Sequence, residues 1–299
     1  MSQIPTSHHD LVRRPLVAAL TTLMPDGYPQ THPVWYSFDD GTVLVNTMRG
    51  FRKERNMRAD PRITVLIVDP GPQTHWIEIR GIVELMDEGA LDHLDALAER
   101  YTGARHYFGE VVAADLAGRE IPVIGRIRPI RVVTDAQAPA RTTRTDRRPE
   151  VPTRRASDGT PASVPASHRD LLTRPLRGAL STLMPDGHPQ TQPVWCDLEG
   201  DDVVVNTSRE RQKGRNLLAD PRATILVVEP QDTSRWIEIR GDVHITEDGA
   251  LEQLDRLTAA YTGNPHYYGS IFPLEQRDRE TRILCRIRPR RVVCDAIHR

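Results

Sequence analysis

Apolar residues in this chain come in short runs rather than long helical stripes. Thr42-Val43-Leu44-Val45-Asn46-Thr47 reads as a strand, and Ile63-Thr64-Val65-Leu66-Ile67-Val68 reads as a buried one. Further strands are predicted over residues 16–23, 30–38, 75–86 and about 123–134. Pro25-Asp26-Gly27 and Asp39-Asp40-Gly41 supply turn chemistry between them. Pro29 and Pro33 place the 30–38 run at a sheet edge or a bulge, because proline cannot donate to a ladder. Helical signals are few. Residues 10–14 form a short helix stopped by Pro15, and residues 51–59 form another that ends before Asp60-Pro61. Leu91, Leu94, Leu97 and Ala98 mark an amphipathic helix over 88–101. Strands in hairpin order without strand–helix alternation predict a mainly β, antiparallel barrel and argue against a Rossmann sheet.

The whole pattern occurs twice. Pro33-Val34-Trp35 returns 160 positions later as Pro193-Val194-Trp195. The same shift carries Leu23-Met24-Pro25-Asp26-Gly27 onto Leu183-Met184-Pro185-Asp186-Gly187, and Trp76-Ile77-Glu78-Ile79-Arg80-Gly81 onto Trp236-Ile237-Glu238-Ile239-Arg240-Gly241. A constant register over such a length means a duplicated domain rather than a solenoid repeat. The predicted organisation is a domain over 6–137, a Pro/Arg-rich linker over 138–165 and a second domain over 166–299. The linker lacks apolar periodicity and carries Arg141, Arg144, Arg147, Arg148, Arg154 and Arg155, the composition of a solvated tether.

Composition narrows the function classes. The 40 Lys and Arg against 41 Asp and Glu leave a net charge of −1, which disfavours a general nucleic-acid binder. No apolar run approaches the roughly 20 residues that cross a bilayer, and the N-terminus lacks a signal-like apolar stretch. The three cysteines, Cys196, Cys285 and Cys294, all lie in the second half and make a poor disulfide framework. The expectation is a soluble cytoplasmic protein with reduced thiols.

Chemistry concentrates where a strand gives way to a helix. In Asn46-Thr47-Met48-Arg49-Gly50-Phe51-Arg52-Lys53-Glu54-Arg55-Asn56, the residues Arg49, Arg52, Lys53 and Asn56 have the spacing of one helical face. Cations there, with free amides at the helix start, suit a phosphate, and Thr47 and Arg49 stand close enough to help. An ordinary charged surface helix reads the same way. The second copy keeps Thr207, Arg209, Lys213, Arg215 and Asn216, with Gln212 for Arg52 and Gly214 for Glu54. No Walker or dinucleotide loop and no zinc-spaced Cys/His cluster occurs. His8-His9 reads as incidental at a mobile end, His106 and His266 as structural, and Trp35, Trp76, Trp195 and Trp236 as core or interface residues. No acid/base constellation is legible, which is compatible with chemistry left to a cofactor.

The series Leu20-x-Thr22-Leu23, Asp26-Gly27-x-Pro29-Gln30 and Pro33-Val34-Trp35 resembles the pyridoxamine-phosphate-oxidase-like split β-barrel superfamily. Asn46-Thr47-x-Arg49, Lys53-x-Arg55-Asn56 and Asp60-Pro61-Arg62 look more narrowly like its branch that uses the deazaflavin coenzyme F420. The resemblance implies two tandem split β-barrels and cofactor grooves between paired barrels. It implies that Thr47, Arg49, Lys53, Arg55 and Asn56 hold the phosphate and acidic tail, and Arg52 joins Arg49, Lys53 and Arg55 in a cationic run long enough for that tail. Pro33, Val34 and Trp35 would border the ring. The second set would be Thr207, Arg209, Lys213, Arg215, Asn216, Pro193, Val194 and Trp195. Gln192 and Cys196 stand where the first copy has His32 and Tyr36, so unequal sites are expected. The implied activity is hydride transfer from reduced coenzyme F420 to an unsaturated organic acceptor. FMN in the same fold, or a non-catalytic carrier of a flavin, deazaflavin or haem, are the alternatives. The tandem chain is expected to be a monomeric pseudo-dimer.

Overall fold

The computed structural model describes residues 3–71, 74–135 and 162–295. The chain divides into two units, the first holding the described residues up to 135 and the second those from 162 to 295. The first contains α1 (His9–Arg13), β1 (Ala18–Leu23), β2 (Pro29–Val34), β3 (Tyr36–Asp39), β4 (Thr42–Met48), α2 (Arg52–Ala59), β5 (Arg62–Val68), β6 (Trp76–Met86), α3 (Ala90–Thr102) and β7 (Pro122–Thr134). Its seven strands form one curled antiparallel sheet in the order β2-β1-β5-β6-β7-β4-β3. The core fills the concave face with Tyr36, Val43, Val45, Ile63, Val65, Ile67, Ile77, Ile79 and Ile127. These are the alternate residues of their strands, as a period of two requires.

The second unit repeats the plan as α4 (Arg169–Thr173), β8 (Gly178–Leu183), β9 (Pro189–Val194), β10 (Cys196–Glu199), β11 (Asp202–Ser208), α5 (Gln212–Ala219), β12 (Arg222–Val228), β13 (Trp236–Thr246), α6 (Ala250–Thr262) and β14 (Arg282–Cys294). Its sheet order is β10-β11-β14-β13-β12-β8-β9. Each unit is therefore a split β-barrel with short helices, antiparallel as the strand pattern predicts and split as the family resemblance implies.

Two corrections follow. The run expected as one strand over 30–38 is two strands at opposite edges of the sheet. β2 pairs with β1, β3 pairs with β4, and the chain changes partner at Trp35. Both units also start earlier than expected. Ile4 and Val164 are buried in the cores, two positions before the starts at 6 and 166. The predicted linker lies mostly outside the described residues, with all six of its arginines.

Proline in a long strand needs an explanation, and a bulge provides it. The register of β6 against β7 shifts between Arg80 and Gly81, so that Pro129 faces Gly81 and Ile130 is the extra residue. A Cβ on Gly81 would lie 2.7 Å from the Arg128 carbonyl oxygen, so the bulge demands glycine. Gly241 repeats the device in the second unit. No helix among the described residues is long and apolar enough to cross a membrane. Cys196, Cys285 and Cys294 carry free thiols.

Candidate functional site

β4 ends at Met48, and Gly50 takes the left-handed backbone (φ +81°) that turns the chain into α2. Phe51 caps α2 without a side-chain hydrogen bond, and the first helical bond runs from Arg55 N to Phe51 O (3.0 Å). The amides of the first turn thus lack intrahelical acceptors. The buried Glu54 carboxylate takes a hydrogen bond from Gly50 N (3.0 Å) and pairs with Arg58 (2.6 Å). That holds the turn in place.

Thr47 and Lys53 have no protein partner among the described residues, and Asn46 Oδ1 beside Thr47 is also without one. Thr47 is 4% exposed, and its Oγ1 is buried without a hydrogen bond. Its counterpart Thr207, 1% exposed, is in the same condition. A buried hydroxyl left unsatisfied costs on the order of 1–3 kcal/mol, so its appearance in both copies makes this threonine a candidate ligand contact. Lys53 is partly buried, and no carboxylate compensates it. Burial alone pulls its ammonium down to about 8. A partly desolvated cation without a counter-ion, beside an unsatisfied hydroxyl and uncapped amides, has the donor chemistry of an anion site.

The other candidates are placed differently. Arg49 is half-exposed and paired with Asp87 (2.7 Å), and Arg52 and Arg55 reach solvent. Arg209 pairs with Glu247 (2.7 Å), and Arg215 donates to Gln212 Oε1 (2.7 Å). Asn56 is buried against β1 and β2, donating to Thr22 Oγ1 (3.0 Å) and Gln30 Oε1 (2.8 Å). Asn216 donates to Thr182 Oγ1 and Gln190 Oε1, both at 2.9 Å. The four-residue cationic face read from the spacing is therefore split. Arg52 looks outward, Asn56 locks the helix to the barrel, and Lys53 stands between. A shallow depression of about 440 Å³ is lined by Arg49, Gly50, Glu54, Arg58 and Asp87, and neither Thr47 nor Lys53 lines it.

Pro33 pairs with Ala19 on the edge strand, and Val34 belongs to the barrel core. Trp35 stacks on Tyr101 (5.2 Å between centroids) and meets Tyr107 edge-on (6.4 Å). It packs in the apolar cluster that also holds Met48 and Phe51, which brings it to the β4–α2 junction. Pro193, Val194 and Trp195 repeat these positions, with Trp195 stacked on Tyr261 (5.2 Å). His106 and His266 are exposed and bonded to Asp95 (3.0 Å) and Asp255 (2.9 Å).

The second unit carries a polar cluster that sequence reading missed. Glu280 meets Arg211 (3.4 Å) and Arg282 (3.3 Å) and accepts from Tyr268 Oη (2.6 Å). Arg282 donates twice to Asn206 Oδ1, at 2.8 and 2.6 Å. The two guanidiniums hold the Glu280 carboxyl below its usual range against the opposing effect of its burial. At the positions of Arg211, Tyr268 and Arg282 the first unit has Phe51, Phe108 and Pro122. The only signal available was the departure of these three residues from the repeat.

With this geometry in hand, comparison with known proteins is informative. The family model described as pyridoxamine 5'-phosphate oxidase matches residues 4–123 and again 164–293. A solved structure named F420 reductase is 31% identical, covering 44% of this chain and 98% of that one, with a TM-score of 0.38. A conserved hypothetical protein of Mycobacterium tuberculosis is 26% identical, with 45% and 89% covered and a TM-score of 0.36. A putative pyridoxamine 5'-phosphate oxidase of Listeria innocua is 20% identical, with 40% and 88% covered and a TM-score of 0.32. No curated protein matches the chain.

Proposed function

Since the chain belongs to the pyridoxamine 5'-phosphate oxidase family in both of its domains, we propose that it is a flavin-type oxidoreductase that uses coenzyme F420. The fold binds flavin-type cofactors, and the family includes oxidoreductases. The finer reading rests chiefly on one observation. Thr47 Oγ1 and Thr207 Oγ1 are buried without partners at matching strand–helix junctions. A phosphate seated there would accept from the threonine hydroxyl and the first-turn amides and would neutralise the Lys53 ammonium. The outward cations Arg49, Arg52 and Arg55 continue the track toward solvent, which suits the glutamate tail of a deazaflavin better than the shorter FMN. Bound there, the cofactor supplies hydride chemistry. The residues of the chain bind it, orient it and shield it from water near Trp35. The acceptor is an unsaturated small organic molecule.

Titration of the apoprotein with coenzyme F420 and with FMN, followed by fluorescence, tests the cofactor. Saturable F420 binding is expected. Sub-micromolar FMN binding with no F420 response overturns it. Lys53→Ala and Lys213→Ala, made separately, should each cost about 1.5–3 kcal/mol in F420 binding at the altered site. Unchanged affinity in both removes the anion site. Bound reduced cofactor that no acceptor reoxidises would favour a carrier over an enzyme.

A further inference from the structure

The first domain holds a second cluster of ligating groups on elements that the cofactor junction does not use. His8 precedes α1, His75 precedes β6, and Asp135 follows the last residue of β7. Sequence reading treats His8 as incidental, but its side chain is only 3% exposed and its Nε2 lies 2.7 Å from Asp135 Oδ1. His75 Nδ1 lies 3.5 Å from the same oxygen, and the two imidazole centroids are 4.7 Å apart. All three ligand atoms fall within 4.8 Å of one another.

The second domain is an internal control for what the fold itself needs. There His168 Nε2 lies 2.8 Å from Asp295 Oδ2, and Trp236 N donates to Asp295 Oδ1 (2.8 Å). The His–Asp pair is therefore the fold's way of tying its N-terminal segment to the end of its last strand. The third position is Arg235, which binds Asp170, the counterpart of Asp10, at 2.5 and 3.0 Å and offers no ligand nitrogen. A barrel closes without the second histidine. His75 is an addition particular to the first domain, and it makes a second-nitrogen donor converge on an existing His–Asp pair.

We propose that His8 Nε2, His75 Nδ1 and Asp135 Oδ1 form a divalent-metal site, with zinc the best-matched ion. Two imidazoles and one carboxylate are borderline donors that suit zinc, whereas calcium and magnesium demand oxygen cages. Tetrahedral ligands at about 2.0–2.2 Å from zinc stand roughly 3.3–3.5 Å apart, so His75 and Asp135 already have the separation required. The His8–Asp135 hydrogen bond opens by under about an ångström as the metal replaces its proton. The outer groups are in place. Ser7 Oγ lies 2.9 Å from His8 Nδ1, and Asp10 Oδ1 lies 3.1 Å from His75 Nε2. Each imidazole thus hands its remaining N–H to an oxygen and turns its other nitrogen toward the metal. His75 and Asp135 are 26% and 23% exposed, so water reaches the fourth position.

Isothermal titration of untagged, metal-free protein with zinc, and with cobalt as a visible probe, tests this. One zinc per chain is expected, and the cobalt form should show the intense visible absorption of a tetrahedral site. His75→Arg imports the residue that the second domain tolerates, and it should abolish binding while leaving the fold intact by circular dichroism. Asp10→Asn removes only an outer partner and should weaken zinc about 10–100-fold. His168→Gln breaks the tie in the second domain and should leave the zinc stoichiometry and affinity unchanged. A wild-type chain that binds no zinc overturns the proposal. So does a stoichiometry of one that persists in His75→Arg.

Discussion

The Thr47 and Thr207 hydroxyls separate a ligand site from an ordinary charged surface more sharply than any cation does. Arginines at a helix start are common, but an unsatisfied buried hydroxyl is disfavoured unless something binds it. Thr47→Val keeps the shape and removes the hydroxyl. Without cofactor, the variant should be as stable as the parent or more so, by up to about 1 kcal/mol, because an unmet polar group is gone. With coenzyme F420, it should bind about fivefold more weakly, the worth of one net hydrogen bond. Chemical denaturation and fluorescence titration read the two effects separately, and a valine variant that is clearly less stable without cofactor would give the hydroxyl a structural role instead. At this scale the sequence was a partial guide. Thr47 and Lys53 could be proposed from the sequence because their motif is contiguous. Asn56 was misplaced because its partner Gln30 lies 26 positions away on another strand. The metal cluster was illegible because His8 and Asp135 are 127 positions apart, and only the closing of the sheet brings them together.

Elements were more legible in kind than in partnership. The strands, the three helices and their order follow from alternation and turn chemistry, and those signals are local. The division of the 30–38 run does not follow, because alternation continues straight through it. Val34 and Tyr36 both enter the core while Trp35 points to the other side. Nothing local marks the place where the ladder partner changes from β1 to β4. Local sequence also hides how differently α2 and α5 are seated. Glu54 anchors α2 through Gly50 N, whereas Gly214 lets α5 approach the strand so closely that a Cβ would lie 2.0 Å from Ser208 O. The atom in the way is backbone, so no rotamer change relieves it. Gly214→Ala should therefore destabilise α5 by about 1–3 kcal/mol despite alanine's better helix propensity. Hydrogen exchange would show this as lost protection of the α5 amides with α2 unchanged. Protection at or above the parent level would mean that the helix shifts outward at no cost.

For the whole molecule, duplication raises the question of what a second copy is for. The two domains keep one register, 160 positions apart, yet they diverge around the same junction. Arg52 faces Gln212 in the alignment, Glu54 faces Gly214, and Phe51, Phe108 and Pro122 face Arg211, Tyr268 and Arg282. Divergence at matched positions is what a fused pair permits and a homodimer forbids, since identical subunits change both sites at once. Residues 136–161 separate the two domains in sequence. We therefore propose that each chain supplies both halves of its pair and carries two unequal cofactor sites. Light scattering after gel filtration should give the single-chain mass of 33.8 kDa, independent of concentration. F420 titration should resolve two affinities, with Lys53→Ala and Lys213→Ala each removing a different one. A stable particle of twice that mass would mean that copies from different chains pair instead. Two equal affinities would mean that the Arg211–Glu280–Arg282 cluster leaves binding untouched.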